Sequence, residues 1–182
     1  MGKERGRRVN KLHVYRGGGK GKTTAAMGLA LRALGHGFPV LVAQWMKRGD
    51  SGELSALQTF PRARVLSAPP MRGFTYQMDQ ALLSLTAKEQ SAFAAGLLPE
   101  IEQARPRMIV LDELGAALVL GLVEEETARA LIDAALQTGE TVVTGYQAPP
   151  WLEARADYLT DFSALRHPYE TEGLKARQGI EW

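Results

Sequence analysis

A mostly parallel β-sheet with helices on both faces, a three-layer α/β/α domain, is the fold this sequence predicts. Three observations predict it. Short apolar runs rich in β-formers alternate with longer helical patterns, the signature of βαβ units. A glycine-rich segment stands between the first apolar run and the first helical pattern. The chain has 182 residues, 45% of them hydrophobic and 23% charged, enough for one well-buried domain and short for two.

Taken in order, the expected strands are 12–15, 39–44, 63–66, 108–111, 141–144 and 158–160. The expected helices are 22–34, about 54–60, 77–104 and 124–138. Within the long stretch, Thr86-Ala-Lys-Glu89 has the form of a capping box, in which hydroxyl and carboxylate each satisfy an orphan N–H, and predicts a helix restart there. No internal repeat or Ser/Gly linker interrupts the pattern, so residues 12–182 are expected to form a single domain behind a basic, flexible tail of residues 1–11. That tail carries Lys3, Arg5, Arg7, Arg8 and Lys11 against Glu4, a net +4 in a chain of net +2, which leaves the rest at −2. The pI of 9.0 therefore does not mark a broad basic face, and a nucleic-acid partner is not expected.

The absence of Cys excludes disulfides and thiolate metal sites, and three scattered His argue against a His-built zinc site. No apolar signal-peptide core stands near the N-terminus, and the longest apolar stretch, 114–123, is about half a bilayer span. A cytoplasmic protein without membrane contact is expected.

Gly17, Gly18, Gly19, Lys20, Gly21, Lys22, Thr23 and Thr24 form a strand–loop–helix phosphate cradle. Glycines let amides turn toward an anion, the helix N-terminus adds partial positive charge, and Lys22 and Thr23 offer a cation and a Mg²⁺ ligand. The fold prediction sharpens to P-loop NTPase-like (RecA-like). The loop is one residue short of the common motif, because Arg16 stands where a first glycine is required. Met108 to Leu111 then run into Asp112 and Glu113; ligands bind at carboxyl ends of strands in such sheets, so this acid pair is expected near the loop and Mg²⁺ (or Mn²⁺). A helix-cap role is the alternative for the pair.

The shortened loop is followed in order by Val40-Leu-Val-Ala-Gln44-Trp45, Gly73-Phe-Thr-Tyr76, Val110-Leu-Asp-Glu113, Thr144-Gly145, Ala148-Pro149, Ala156-Asp157, His167-Pro168 and Lys175-Ala-Arg-Gln-Gly-Ile-Glu181. From about Leu12 to the end, this series resembles the P-loop family of ATP:corrinoid adenosyltransferases. The resemblance implies transfer of the 5′-deoxyadenosyl group of ATP to cob(I)alamin or a precursor corrinoid, with triphosphate leaving. It implies a catalytic set of Lys22, Thr23 and Glu113, metal ligands among Thr23, Asp112 and Glu113, and a corrinoid-contacting segment Gly73, Phe74, Thr75 and Tyr76. The two aromatics match positions that displace the lower axial ligand of cobalt; packing onto the core is the other reading. A homodimer, with the basic tail over a neighbouring site, and an electron donor such as a reduced flavin or flavodoxin-type protein are further implications.

Three positions depart from the family pattern. Gly18 replaces Asn, Tyr146-Gln147 replace Arg-Asn, and Tyr76 replaces Trp. Arg16 is the candidate to supply the phosphate contact of the missing Arg. A small-molecule kinase or ATPase, and a degenerate module that binds ATP or corrinoid without turnover, are the competing functions.

Overall fold

The computed structural model describes residues 9–47 and 51–181. Six strands, β1 (Leu12–Arg16), β2 (Val40–Gln44), β3 (Ala63–Ser67), β4 (Met108–Asp112), β5 (Glu140–Thr144) and β6 (Tyr158–Asp161), form one all-parallel sheet in the order β3-β2-β4-β5-β1-β6. The helices are α1 (Lys22–Gly35), α2 (Gly52–Gln58), α3 (Gln80–Ala104), α4 (Leu114–Val119), α5 (Glu125–Thr138), α6 (Pro150–Arg155) and α7 (Pro168–Glu172). Among the described residues, no helix is long and apolar enough to cross a membrane.

Successive side chains along a strand point to opposite faces, and here both faces are covered. Val40, Val42, Val110 and Val142 pack on one side against Ala26, Met27 and Leu34 of α1 and Leu54 and Leu57 of α2. Leu41, Ile109, Leu111 and Val143 pack on the other against Leu97 and Ile101 of α3 and Leu131 and Ile132 of α5. All five residues of β2 and of β4 are buried, and the first four of each read as an unbroken apolar run. Helix α5 buries Ala128, Leu131, Ile132, Ala135 and Leu136, the i, i+3, i+4, i+7, i+8 stripe of an amphipathic helix.

The expected restart at Thr86 does not occur. Helix α3 runs unbroken; its cap is Asp79, whose carboxylate accepts from the Leu82 N–H at 2.8 Å. Thr86 is buried in mid-helix and its hydroxyl donates to the Leu82 carbonyl at 2.8 Å, the back-bond a threonine makes inside a helix. The apolar stretch 114–123 divides into α4 and a turn at Gly121 (φ 67°), after which Leu122 and Val123 enter the core.

All six strands point the same way, so the segments after β1, β2, β3, β4 and β5 emerge at one edge of the sheet. Strand β5 lies between β1 and β4. It separates the glycine-rich loop from the acidic strand end by one strand.

Candidate functional site

The chain leaves β1 at Arg16, turns through Gly17 to Gly21 and enters α1 at Lys22. Two backbone bonds pin the turn: the Gly17 N–H donates to the Tyr146 carbonyl at 3.1 Å and the Gly19 N–H to the Phe162 carbonyl at 2.6 Å. The approach is too close for side chains, since a Cβ at Gly19 would lie 2.6 Å from the Phe162 oxygen. Gly18 differs, because there a Cβ would meet only the Tyr146 ring, at 3.2 Å. Gly19→Ala is therefore expected to cost about 1–3 kcal/mol by overpacking, and Gly18→Ala well under 1 kcal/mol, as the ring can give way. Thermal melting of the two variants checks this, and equal losses would refute it.

Lys22 folds back over the turn, its ammonium donating to the Gly17 carbonyl at 2.6 Å and the Gly19 carbonyl at 2.9 Å. The first-turn amides of α1 lack intrahelical partners and carry the positive end of the helix dipole. Loop, lysine and helix end thus share one positively polarised concavity.

Asp112 closes β4 with no solvent exposure. Its Oδ1 accepts from the Thr144 hydroxyl at 2.7 Å and the Thr23 hydroxyl at 2.9 Å. Its Oδ2 accepts from Gln44 Nε2 at 2.9 Å and Lys47 Nζ at 3.0 Å. The sheet order makes this possible, because β2 and β5 flank β4 and bring Gln44 and Thr144 to either side of the carboxylate. A buried carboxylate survives only when so partnered, and removing the Lys47 cation would leave a charge costing about 3–5 kcal/mol.

Glu113 follows in the left-handed region (φ 64°), its N–H donating to the Thr144 hydroxyl at 2.9 Å. Burial, then repulsion from Asp112, pushes its carboxyl above the usual glutamate range; Lys47 and Lys22 pull it partly back. Met46, just before Lys47, is also left-handed (φ 62°). Two non-glycine residues in this region, each costing about 1–3 kcal/mol, stand at neighbouring strand ends beside one cavity.

That cavity has a volume of about 640 Å³. Its polar lining includes Lys20, Lys22, Thr23, Lys47, Glu113 and Glu181, so the structure gathers the loop and Glu113 around one space. The C-terminal residues Gly179 to Glu181 form part of its wall, held by a 2.9 Å ion pair between Lys20 and Glu181. Hydrogen bonds from Arg177 and then Lys20 draw the Glu181 carboxyl down to about 2, so this latch is complete above the ordinary glutamate pKa and is lost only as the pH falls toward 2. A second cavity, about 830 Å³, shares Lys20 and Glu181 with the first and is lined by Arg166, His167, Tyr169, Lys175 and Arg177 among others. His167 also accepts from the Tyr169 N–H and caps α7.

Among the described residues, no group of three His, Asp or Glu side chains could by itself hold a metal. Thr23 and Asp112 nevertheless offer adjacent oxygens, and a Lys47 ammonium 3.0 Å from each of the two residues shows that a cation fits there. A hydroxyl and one or two carboxylates, completed by phosphate oxygens, is the donor set Mg²⁺ favours.

Phe74 and Tyr76 lie elsewhere on the same sheet edge, in the segment after β3, and do not line the phosphate-loop cavity. Their rings stack at 5.4 Å and 18°, and they are 65% and 79% exposed, so the core-packing reading is overturned. Arg16, the candidate for the contact of the missing family Arg, is held away from the phosphate-loop cavity. Its guanidinium pairs with Glu153 and Asp161, and it does not line the cavity. Tyr146, in the place of that Arg, rests its ring against Gly18 and is 62% exposed. Residues 1–8 of the expected basic tail lie outside the described residues. Asn10 and Lys11 are hydrogen-bonded to Leu136 and Glu140.

Sequence reasoning missed Lys47, and it gave Gln44, Thr144 and the C-terminal Lys175–Glu181 segment a place in the family pattern but no role at the cavity. The one available signal for Lys47 was a cation just past a strand adjacent to the acidic one.

A glycine-rich loop joining β1 to α1, with a buried aspartate one strand away on an all-parallel sheet, defines a P-loop NTPase-like α/β protein. Over residues 8–182 the sequence matches the family model described as ATP:corrinoid adenosyltransferase BtuR/CobO/CobP, and the chain belongs to that family. It is 36% identical over 174 residues to a corrinoid adenosyltransferase of Pseudomonas aeruginosa, covering 94% of this chain and 83% of the relative. A corrinoid adenosyltransferase of Sinorhizobium is 30% identical over 171 residues (93% and 78%), and one of Salmonella typhimurium 28% over 176 (93% and 84%).

Proposed function

We propose that this protein transfers the 5′-deoxyadenosyl group of ATP to the Co(I) centre of cobalamin or a precursor corrinoid, releasing inorganic triphosphate, in the synthesis or salvage of adenosylcobalamin. The observation that carries the reading is the family match across almost the whole chain. In the reaction, the cobalt lone pair attacks C5′, a Co–C bond forms, the C5′–O5′ bond breaks, and its electron pair leaves on triphosphate. Because reduced cobalt is itself the nucleophile, the protein needs no Ser, Cys or His nucleophile and no general base. Its tasks are to fix C5′ in line with cobalt and to neutralise the leaving group.

The residues of the cavity suit those tasks. Gly17 through Thr24 receive the triphosphate, with amides at the start of α1 and the Lys20 and Lys22 ammonium groups as its counter-charges. Lys22 exchanges the Gly17 and Gly19 carbonyls, which it holds in this structure, for phosphate oxygens. Thr23, Asp112 and Glu113 take the divalent ion, directly or through water, and the ion when bound neutralises charge on the triphosphate. Gly73, Phe74, Thr75 and Tyr76 take the corrinoid. The exposed, stacked rings of Phe74 and Tyr76 support this, since they leave most of their apolar surface open to solvent. The reading further includes a cytoplasmic homodimer and a reduced flavin or flavodoxin-type donor for the Co(II) to Co(I) step.

Anaerobic incubation with ATP, Mg²⁺ and chemically reduced cobalamin tests the proposal: the spectrum of the adenosylated product and free triphosphate are expected together. ADP and phosphate would make the protein a kinase or ATPase, and binding without product a non-catalytic module. Excess chelator is expected to lower transfer at least about tenfold, through loss of the neutralising charge. Unchanged activity would remove Thr23, Asp112 and Glu113 from metal binding.

A further inference from the structure

Lys47 enters no motif in the sequence, yet among the described residues it is the only cation bonded to the buried aspartate of the site. Among the described residues Asp112 accepts four side-chain hydrogen bonds, two on each oxygen, which fills the positions a carboxylate offers. A metal ion that reaches this carboxylate must therefore displace a partner. Thr144 and Gln44 are about 1% exposed and belong to β5 and β2, so they are fixed. Thr23 is itself a donor for the ion. Lys47 remains: its side chain is 34% exposed, faces the cavity, and stands on a flexible stem after a strained Met46. Its nitrogen also bridges to Thr23 Oγ1, 3.0 Å away, so it occupies the point where the hydroxyl and the carboxylate converge.

We propose that Lys47 is a built-in counter-ion that holds the divalent-metal position in the nucleotide-free protein and leaves it for the triphosphate when ATP arrives. The argument is electrostatic. Without nucleotide, an entering divalent cation would push the ammonium into a cavity already lined by Lys20 and Lys22. With nucleotide, the phosphate oxygens supply both the remaining metal ligands and a new partner for Lys47, so the exchange becomes favourable. Metal then enters with ATP rather than ahead of it, and Asp112 is never left buried without a cation. Lys47 is a positioning residue in this account. The inference rests on the proposed reading of Thr23 and Asp112 as metal ligands.

The test is equilibrium dialysis of the full chain against Mn²⁺, with bound ion read by paramagnetic resonance, with and without ATP. The parent is expected to bind Mn²⁺ as a ternary complex with ATP and at least tenfold more weakly without it. Lys47→Gln, which retains a donor for Asp112, and Lys47→Met are expected to bind nucleotide-free Mn²⁺ at least tenfold more tightly than the parent. Lys47→Arg is expected to exclude it as the parent does. A parent whose Mn²⁺ affinity is the same with and without ATP overturns the inference by itself, whether or not the variants fold. Equal nucleotide-free affinity in the parent and Lys47→Gln does so too. Absence of any ternary complex in the parent instead overturns the metal reading of Thr23 and Asp112.

Discussion

Lys22→Ala is expected to lose ATP-dependent transfer, by about 10²- to 10³-fold or more, while its far-ultraviolet dichroism and cooperative melting stay those of the parent. The fold should survive because, among the described residues, the Lys22 ammonium bonds only the carbonyls of its own loop, while the turn is independently pinned by the Gly17 and Gly19 amides to the segments after β5 and β6. Activity should not survive. The two other lysines at the cavity are already paired, Lys20 with Glu181 and Lys47 with Asp112, whereas the partners of Lys22 are neutral carbonyls. Lys22 is thus the ammonium that turns to a triphosphate without giving up a carboxylate, whereas Lys47 is released only when a metal ion takes its place on Asp112 and Lys20 only by sharing itself with Glu181. Turnover should be measured with saturating Mg²⁺ and cobalamin already reduced to Co(I), so that reduction is not limiting. Near-parental turnover would remove the glycine-rich loop from the mechanism.

Burial explains which parts of this architecture the sequence makes legible. Strands β2 and β4 announce themselves because both their faces are covered, and a strand buried on two sides is a plain apolar run. The glycine-rich loop is legible because close approach of backbone to backbone tolerates no side chain, as at Gly19. Helices α4, α6 and α7 escape because five or six residues span too few turns to show a period. The four-way satisfaction of Asp112 escapes for a different reason. It joins Thr23, Gln44, Lys47 and Thr144, which become neighbours only once β2, β4, β5 and β1 are ordered in the sheet. Thr86 is misleading because the same hydroxyl that caps a helix can bond back to the Leu82 carbonyl inside one. Arg16 misleads through its chain position beside the loop, since its side chain is claimed by Glu153 and Asp161.

Phe74→Ala and Tyr76→Ala are expected to impair formation of Co(I) from protein-bound Co(II) corrinoid far more than transfer from chemically pre-reduced cob(I)alamin. Their exposure makes the test clean. Were the rings core residues, truncation would cost about 3–5 kcal/mol and depress both assays together. At 65% and 79% exposed, with their rings stacked on each other at 5.4 Å, they should lose about 1 kcal/mol or less on truncation, a melting shift of roughly 2–4 °C. A specific defect in reduction cannot then be blamed on unfolding. In the proposed reading, a lower axial ligand makes Co(II) hard to reduce, and these two rings against the lower corrin face would hold that ligand off. Tyr76 differs from the tryptophan usual in the family in one relevant way. Its phenol oxygen carries lone pairs that can reach for cobalt, whereas an indole N–H is only a donor. Tyr76→Trp is therefore expected to form the four-coordinate Co(II) state at least as well as the parent. The deciding measurement is the paramagnetic resonance spectrum of Co(II) corrinoid bound together with ATP. Lack of a four-coordinate signal in the parent, with both alanine variants reducing and transferring normally, would show that this segment does not bind the corrinoid.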